Sequence, residues 1–191
     1  TAVSRDPESG VLSRRGGMKL IRLAGVTAYR LHMPKWAVAA TSGAGAAKHG
    51  GRANRPGVEA LYLALDTETA VREYQQVSSL LPPGTLTSYQ LTVEPVADFT
   101  AGYDASVWPP IWEDFYCDWR ELWFNQRIEP PSWIVGDTVI AAGSKAILFP
   151  SQARVGGTNL VLFVNALTAT DSLQVYDPGR SLPQNQNSWA R

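Results

Sequence analysis

The hydrophobic pattern of this chain changes period several times, and each change predicts an element. Val58–Leu65 is a mostly apolar run entered through Gly57, and it predicts a buried strand. Asp66 or Thr67 can cap the next element, where Ala70, Tyr74, Val77 and Leu81 fall on one helical face. Pro82-Pro83-Gly84 stops that helix. Leu86–Val93, rich in Thr, Tyr and Val, predicts a strand. Pro109-Pro110 opens a predicted helix to about Gln126, with Trp112, Tyr116, Trp119 and Trp123 at helical spacing. That aromatic stripe reads as core rather than as a stacking platform. Ser132 is the expected cap of a further helix ending near Gly143. Strands are predicted at Ala146–Phe149, Asn159–Val164 and Leu173–Tyr176. The elements are mixed, without regular βαβ units, so the expected class is α+β.

Composition bounds the reading. The 191 residues suit about one domain, and 45% hydrophobic residues can fill a core. Residues 1–17 are polar and carry no apolar signal segment, so they read as a flexible leader. Folded structure is expected from Met18, the domain at residues 18–180 and a flexible tail at 181–191. The apolar runs are far short of the ~20 residues of a membrane helix. Cys117 is the one cysteine, so no intrachain disulfide is possible, and a cytoplasmic location is expected. Two histidines and one cysteine cannot close a structural zinc set, so no metal is expected.

The 17 basic and 17 acidic side chains cancel, which argues against a dedicated nucleic-acid coat or a polybasic membrane binder. The zero hides a division. Residues 1–55 hold ten basic residues and two acids, and Met18–Arg55 holds seven basic residues and no acid. Such a stretch suits an anionic ligand or an acidic partner, or is neutralised by the rest of the fold.

Several motifs fail. Gly43-Ala-Gly45 lacks the third glycine of a dinucleotide fingerprint, since Lys48 occupies that position. There is no Walker loop, and Ser151 lies in Phe-Pro-Ser-Gln-Ala rather than in a nucleophile elbow. One ordered series holds. It runs Tyr29-Arg30, Gly50-Gly51-Arg52-Ala-Asn54-Arg55-Pro56-Gly57, Ala60-Leu61-Tyr62-Leu63-Ala64, Thr69-Ala70-Val-Arg-Glu73, Leu148-Phe-Pro150-Ser151 and Asn159–Asn165. This series resembles the RES-domain family, named for an Arg, a Glu and a Ser, over most of the chain. Ala53 and Arg55 stand where the family often has Trp and Pro, and Ala-Leu-Thr follows Asn165.

The resemblance implies a fold similar to the ADP-ribosyltransferase toxins, with a split, curved β core and helices around an NAD cleft. It implies a toxin of a bacterial toxin–antitoxin pair that consumes NAD as substrate. The reaction would be transfer of ADP-ribose to a target protein, or else hydrolysis or phosphorolysis of NAD. The implied partner is a DNA-binding antitoxin that blocks the cleft. A non-catalytic module docking an acidic partner is the reading from a different class.

The resemblance assigns Arg30, Glu73 and Ser151 to catalysis and Arg30, Arg52, Tyr62 and Ser151 to NAD binding. Guanidinium forks match phosphate oxygens in pairs, so Arg30 and Arg52 suit a pyrophosphate. Tyr62 faces opposite to Leu61 and Leu63 and suits stacking on a ring, or a half-buried core position. Glu73 suits stabilisation of the positive charge that builds on the ribose as nicotinamide leaves. Ser151 suits a hydrogen bond to the nicotinamide amide or ribose, or a local turn. By residue type alone, each arginine is also a surface charge and Glu73 a solvated helix charge.

Overall fold

A computed structural model describes residues 11–15, 17–76 and 78–189. Among these residues seven strands form one sheet: β1 (Val11–Arg15), β2 (Met18–His32), β3 (Ala60–Ala64), β4 (Thr85–Asp98), β5 (Ala146–Pro150), β6 (Thr158–Phe163) and β7 (Ser172–Val175). Three α-helices accompany them: α1 (Ala44–His49), α2 (Thr67–Gln75) and α3 (Pro131–Ala141). The strand order is β1-β2-β3-β6-β5-β4-β7, and β4 also pairs with β2. The strands β2-β3-β6-β5-β4 therefore close on themselves, giving the expected curved β core of an α+β domain.

Closure depends on two long strands. β2 and β4 run antiparallel from Leu20↔Ala97 to His32↔Thr85. Two register shifts bend the pair: an extra β4 residue between Ile21↔Val96 and Leu23↔Val93, then an extra β2 residue between Leu23↔Val93 and Val26↔Leu91. Gly25 sits there with φ +60°, a conformation that glycine adopts without a side-chain clash. At its far end β4 pairs in parallel with β5 through Val96–Asp98. By contrast, β2 meets β3 through a single partner pair, Tyr29↔Ala64.

Alternation along the strands divides the core between the two faces of the sheet. Leu61, Leu63, Leu160, Leu162 and Leu148 pack with Tyr89 and Leu91 on one face. Ala60, Val161, Phe163, Ile147 and Phe149 pack on the other, under Trp108, Trp112, Phe115 and α3. Tyr62 packs with this second group, opposite to its leucine neighbours, as its position in the strand predicts.

Asp66 caps α2 by accepting from the Thr69 amide at 2.8 Å, as expected. The helix ends at Gln75, before the proline stop, because Gln76 turns the chain at φ +53°. Val77, assigned to the apolar face of this helix, lies outside the described residues.

Other expectations are corrected. The single helix predicted from Pro110 to Gln126 is a 3-10 turn at Pro110–Tyr116 and a π-helical turn at Glu121–Gln126. The 3-10 turn carries both Trp112 and Phe115 into the aromatic cluster around Phe99, and the chain leaves it at Cys117 in an extended conformation. Trp112 and Trp119 are buried, as the core reading of the stripe requires. Ser132 lies inside α3 rather than capping it, because Pro131 occupies the first turn and Ser132 is enclosed.

Structure also starts before Met18, since Val11–Arg15 pairs antiparallel with Met18–Ile21. The polar tail is tied back: Gln186 Nε2 donates to the Lys35 carbonyl at 2.9 Å, and Asn187–Trp189 forms a 3-10 turn. Among the described residues no helix is long and apolar enough to cross a membrane.

Candidate active site

The segment Gly50–Gly57 is built against its neighbours by close backbone approach. Trp133 on α3 donates from its indole Nε1 to the Gly51 carbonyl at 2.6 Å. A Cβ on Gly51 would lie 2.4 Å from the Tyr62 hydroxyl, and one on Gly136 of α3 would lie 1.8 Å from the Ala53 carbonyl oxygen. Asn54 is buried and its Nδ2 donates to the carbonyls of Ala46, Arg55 and Val58. Tyr62 completes the clasp. Its hydroxyl donates to Asn54 Oδ1 at 2.7 Å and accepts from the Ala53 amide at 3.0 Å. Burial pushes this phenol's pKa upward, despite the lowering influence of the Ala53 amide and of Arg52, Arg30 and Arg120. The tyrosine therefore acts as a neutral strut, with its hydroxyl engaged by the loop.

That loop presents Arg52. Its Nη1 donates to the carbonyls of Phe115 at 3.1 Å and Cys117 at 3.2 Å, and its Nη2 to Gln152 Oε1 at 2.6 Å. The guanidinium also lies 5.3 Å from the Tyr116 ring centroid. Tyr116 in turn donates from its hydroxyl to the Pro150 carbonyl at 2.9 Å. Arg52 is thus drawn to the segment that carries Ser151.

Glu73, Ser151 and Asn159 meet directly, from three separate elements. α2 holds Glu73, the end of β5 leads into Ser151, and β6 holds Asn159. Ser151 Oγ donates to Glu73 Oε1 at 2.6 Å, and Asn159 Nδ2 donates to the same oxygen at 2.5 Å. Ser151 Oγ also accepts from the amides of Ala153 and Arg154, which closes a tight turn on it. Sequence reasoning names Glu73 and Ser151 separately, each toward NAD, and omits Asn159 from the site. Its position, opening the Asn159–Val164 strand inside the matched series, was the available signal.

Arg30 stands apart from this cluster. Its Nη1 donates to the Tyr62 carbonyl at 3.1 Å, across the seam where β2 and β3 share one partner pair. No hydrogen bond joins it to Glu73 or Ser151 among the described residues, so its link to them runs through β3. Arg120 was also missed. It lies over the Trp119 ring at 4.6 Å and, with Arg30 and Arg52, contributes positive potential at Tyr62.

The charge division resolves in part. Lys19 pairs with Asp98, Arg22 with Glu94, and Arg55 with Glu129 and Asp137, so acids from later in the chain neutralise these three. Arg30 and Arg52 have no carboxylate partner among the described residues. Burial lowers the pKa of both, since a guanidinium loses hydration there. Two desolvated cations without a counter-ion make this region suited to an anion. Among the described residues, no group of three or more His, Cys, Asp or Glu side chains is arranged to hold a metal ion.

Fold and site together define an α+β domain with a carboxylate clamped on one oxygen and, apart from that clamp, two arginines without carboxylate partners among the described residues. The RES domain family model matches residues 27–184, and the chain belongs to that family. No curated protein matches the sequence. Among solved structures the chain is similar to one described as the crystal structure of the M. tuberculosis MbcT–MbcA toxin–antitoxin complex. The match has a TM-score of 0.54 and 22% identity, and covers 83% of this chain and 84% of the other.

Proposed function

We propose that this protein is the toxin of a bacterial toxin–antitoxin pair, acting in the cytoplasm as an NAD-consuming enzyme. It cleaves the bond between nicotinamide and ribose and transfers ADP-ribose to a target protein. The observation that carries the reading is the pair of desolvated arginines, Arg30 and Arg52, without carboxylate partners. Such guanidinium groups suit the pyrophosphate of NAD, Arg30 through its remaining N–H donors and Arg52 through those not given to Phe115, Cys117 and Gln152.

The chemistry follows from Glu73. The C1′–N bond breaks and its electron pair leaves with the nicotinamide nitrogen, which becomes neutral. Positive charge develops on the ribose, and a nearby carboxylate stabilises it. A nucleophile on the target protein then supplies the new electron pair to C1′ and gives up its proton. Tyr62 supports one ring of the dinucleotide with its face, its hydroxyl being held by the loop. Ser151 stands at the nicotinamide end. The likeness to a toxin–antitoxin complex supports a cognate antitoxin partner. On this reading the antitoxin is a DNA-binding protein that covers the NAD site.

Incubation with radiolabelled NAD tests the reaction. Label on a protein band supports transfer. Free ADP-ribose, or its 1″-phosphate, without labelled protein replaces transfer by hydrolysis or phosphorolysis. Glu73→Ala is expected to abolish both NAD consumption and growth arrest. A variant that keeps both overturns the enzymatic reading and favours a binding module.

A further inference from the structure

We infer that Asn159 is a positioning residue for Glu73. Together with Ser151 it locks one carboxylate oxygen and so reserves the other, Oε2, for the ribose hydroxyls. This inference rests on the proposed NAD-cleaving function, and it adds a residue and a division of labour to it.

Three observations carry it. First, both donors converge on one atom. Ser151 Oγ and Asn159 Nδ2 both bond Oε1, at 2.6 and 2.5 Å, while Oε2 has no hydrogen-bond partner among the described residues. Two donors from different elements fix the carboxylate plane as well as its position, and a preorganised plane is what electrostatic stabilisation needs.

Second, Asn159 is poorly explained by folding alone. It sits on β6 between Ala64 on β3 and Phe149 on β5, among apolar side chains, and is only 7% exposed. Its Oδ1 is buried without a partner. A buried, half-satisfied amide weakens a strand that an apolar residue would serve better. Its one side-chain hydrogen bond goes to Glu73, so the asparagine is explained by that carboxylate.

Third, Ser151 is already saturated by the protein. Its single proton goes to Glu73, and its oxygen accepts from the amides of Ala153 and Arg154. A hydroxyl so engaged has no proton left for a ligand, so Ser151 also acts through Glu73 rather than on nicotinamide.

The experiment measures nicotinamide release from NAD by the full chain and its variants, alongside thermal unfolding and crystal structures. Asn159→Leu is expected to keep or raise the melting temperature. It should lower kcat by about 100-fold, since small misplacements of a catalytic group cost on that order, and leave KM within about 2-fold. Ser151→Ala is expected to act the same way, with Ser151→Thr recovering most of kcat. Wild-type kcat in Asn159→Leu, with Glu73→Ala inactive, overturns this inference and leaves the function standing. A rise in KM at constant kcat overturns it as well, because the residue would then bind substrate. If the wild type itself does not cleave NAD, the functional reading fails, and the crystal structures decide the positional claim separately. A Glu73 carboxylate that keeps its place and plane in both variants overturns it.

Discussion

Trp133 Nε1 lies 2.6 Å from the carbonyl oxygen of Gly51, a residue 82 positions earlier in the chain. This bond ties α3 to the loop that presents Arg52, so the position of that arginine depends on α3. Both residues are buried, and water cannot replace the donor. Trp133→Phe is therefore expected to cost about 1–3 kcal/mol, the usual effect of stranding a buried acceptor. Urea unfolding of wild type and variant measures it.

The same helix lies close enough to the loop that a methyl group does not fit at one position. A Cβ on Gly136 would fall 1.8 Å from the Ala53 carbonyl oxygen, a backbone atom that cannot rotate away. Gly136→Ala should destabilise the fold by about 3 kcal/mol or more. Gly45 in α1 has open space at its Cβ, and Gly45→Ala should instead stabilise by about 0.4–1 kcal/mol. A difference in melting temperature of the same sign for both variants contradicts the packing described.

Arg52 has a structural duty besides any ligand. A lysine ammonium cannot reach the carbonyls of Phe115 and Cys117 and the Gln152 amide in one geometry. Arg52→Lys should lose about 1–2 kcal/mol of stability, as hydrogen bonds of this kind contribute, and also raise KM for NAD. Arg30→Lys should raise KM with less loss of stability, since Arg30 holds one protein acceptor. Paired unfolding and steady-state measurements separate the two arginines.

His32 gives the fold a pH dependence. Burial, and then the nearby Arg30, lowers its pKa from 6.5 to about 4. Its Nε2 lies 2.6 Å from the Tyr89 hydroxyl, which donates to the Ala40 carbonyl at 2.7 Å. The neutral imidazole therefore donates to the tyrosine oxygen. The unfolded chain takes up a proton near pH 6.5 and the folded chain only near pH 4. Stability from this group is complete above pH 6.5, falls as the pH drops toward 4 and levels off below. The difference between wild type and His32→Leu in urea unfolding across pH 7 to 4 should show that slope, and no slope excludes the assignment.

Local chemistry made much of the scaffold legible. Asp66 and Thr67 announce the start of α2, where the structure makes Asp66 the cap, and the alternation Leu61-Tyr62-Leu63 places the tyrosine opposite its neighbours. The ordered blocks also named Glu73 and Ser151, and the fold joins the two by a hydrogen bond that the blocks did not announce. The broken aromatic helix was not legible, because the spacing from Trp112 to Trp123 fits one continuous helix, and the extended backbone at Cys117 that breaks it leaves no mark in that spacing. β2 was not legible as one strand because the extra residue between Leu23 and Val26 interrupts the two-residue period.

The sequence by itself determined features whose signals are short in range: the Asp66 cap, the apolar strands and an acid-free basic segment. Tertiary structure alone decided which of those cations stay unpaired, since Asp98, Glu94, Glu129 and Asp137 lie far along the chain from their partners. It alone brought Asn159 to Glu73, 86 residues away, because strand register and ring closure set which side chains share a face. Propensity acts within a turn or two, whereas a carboxylate held on one oxygen needs three elements fixed against one another by a common core.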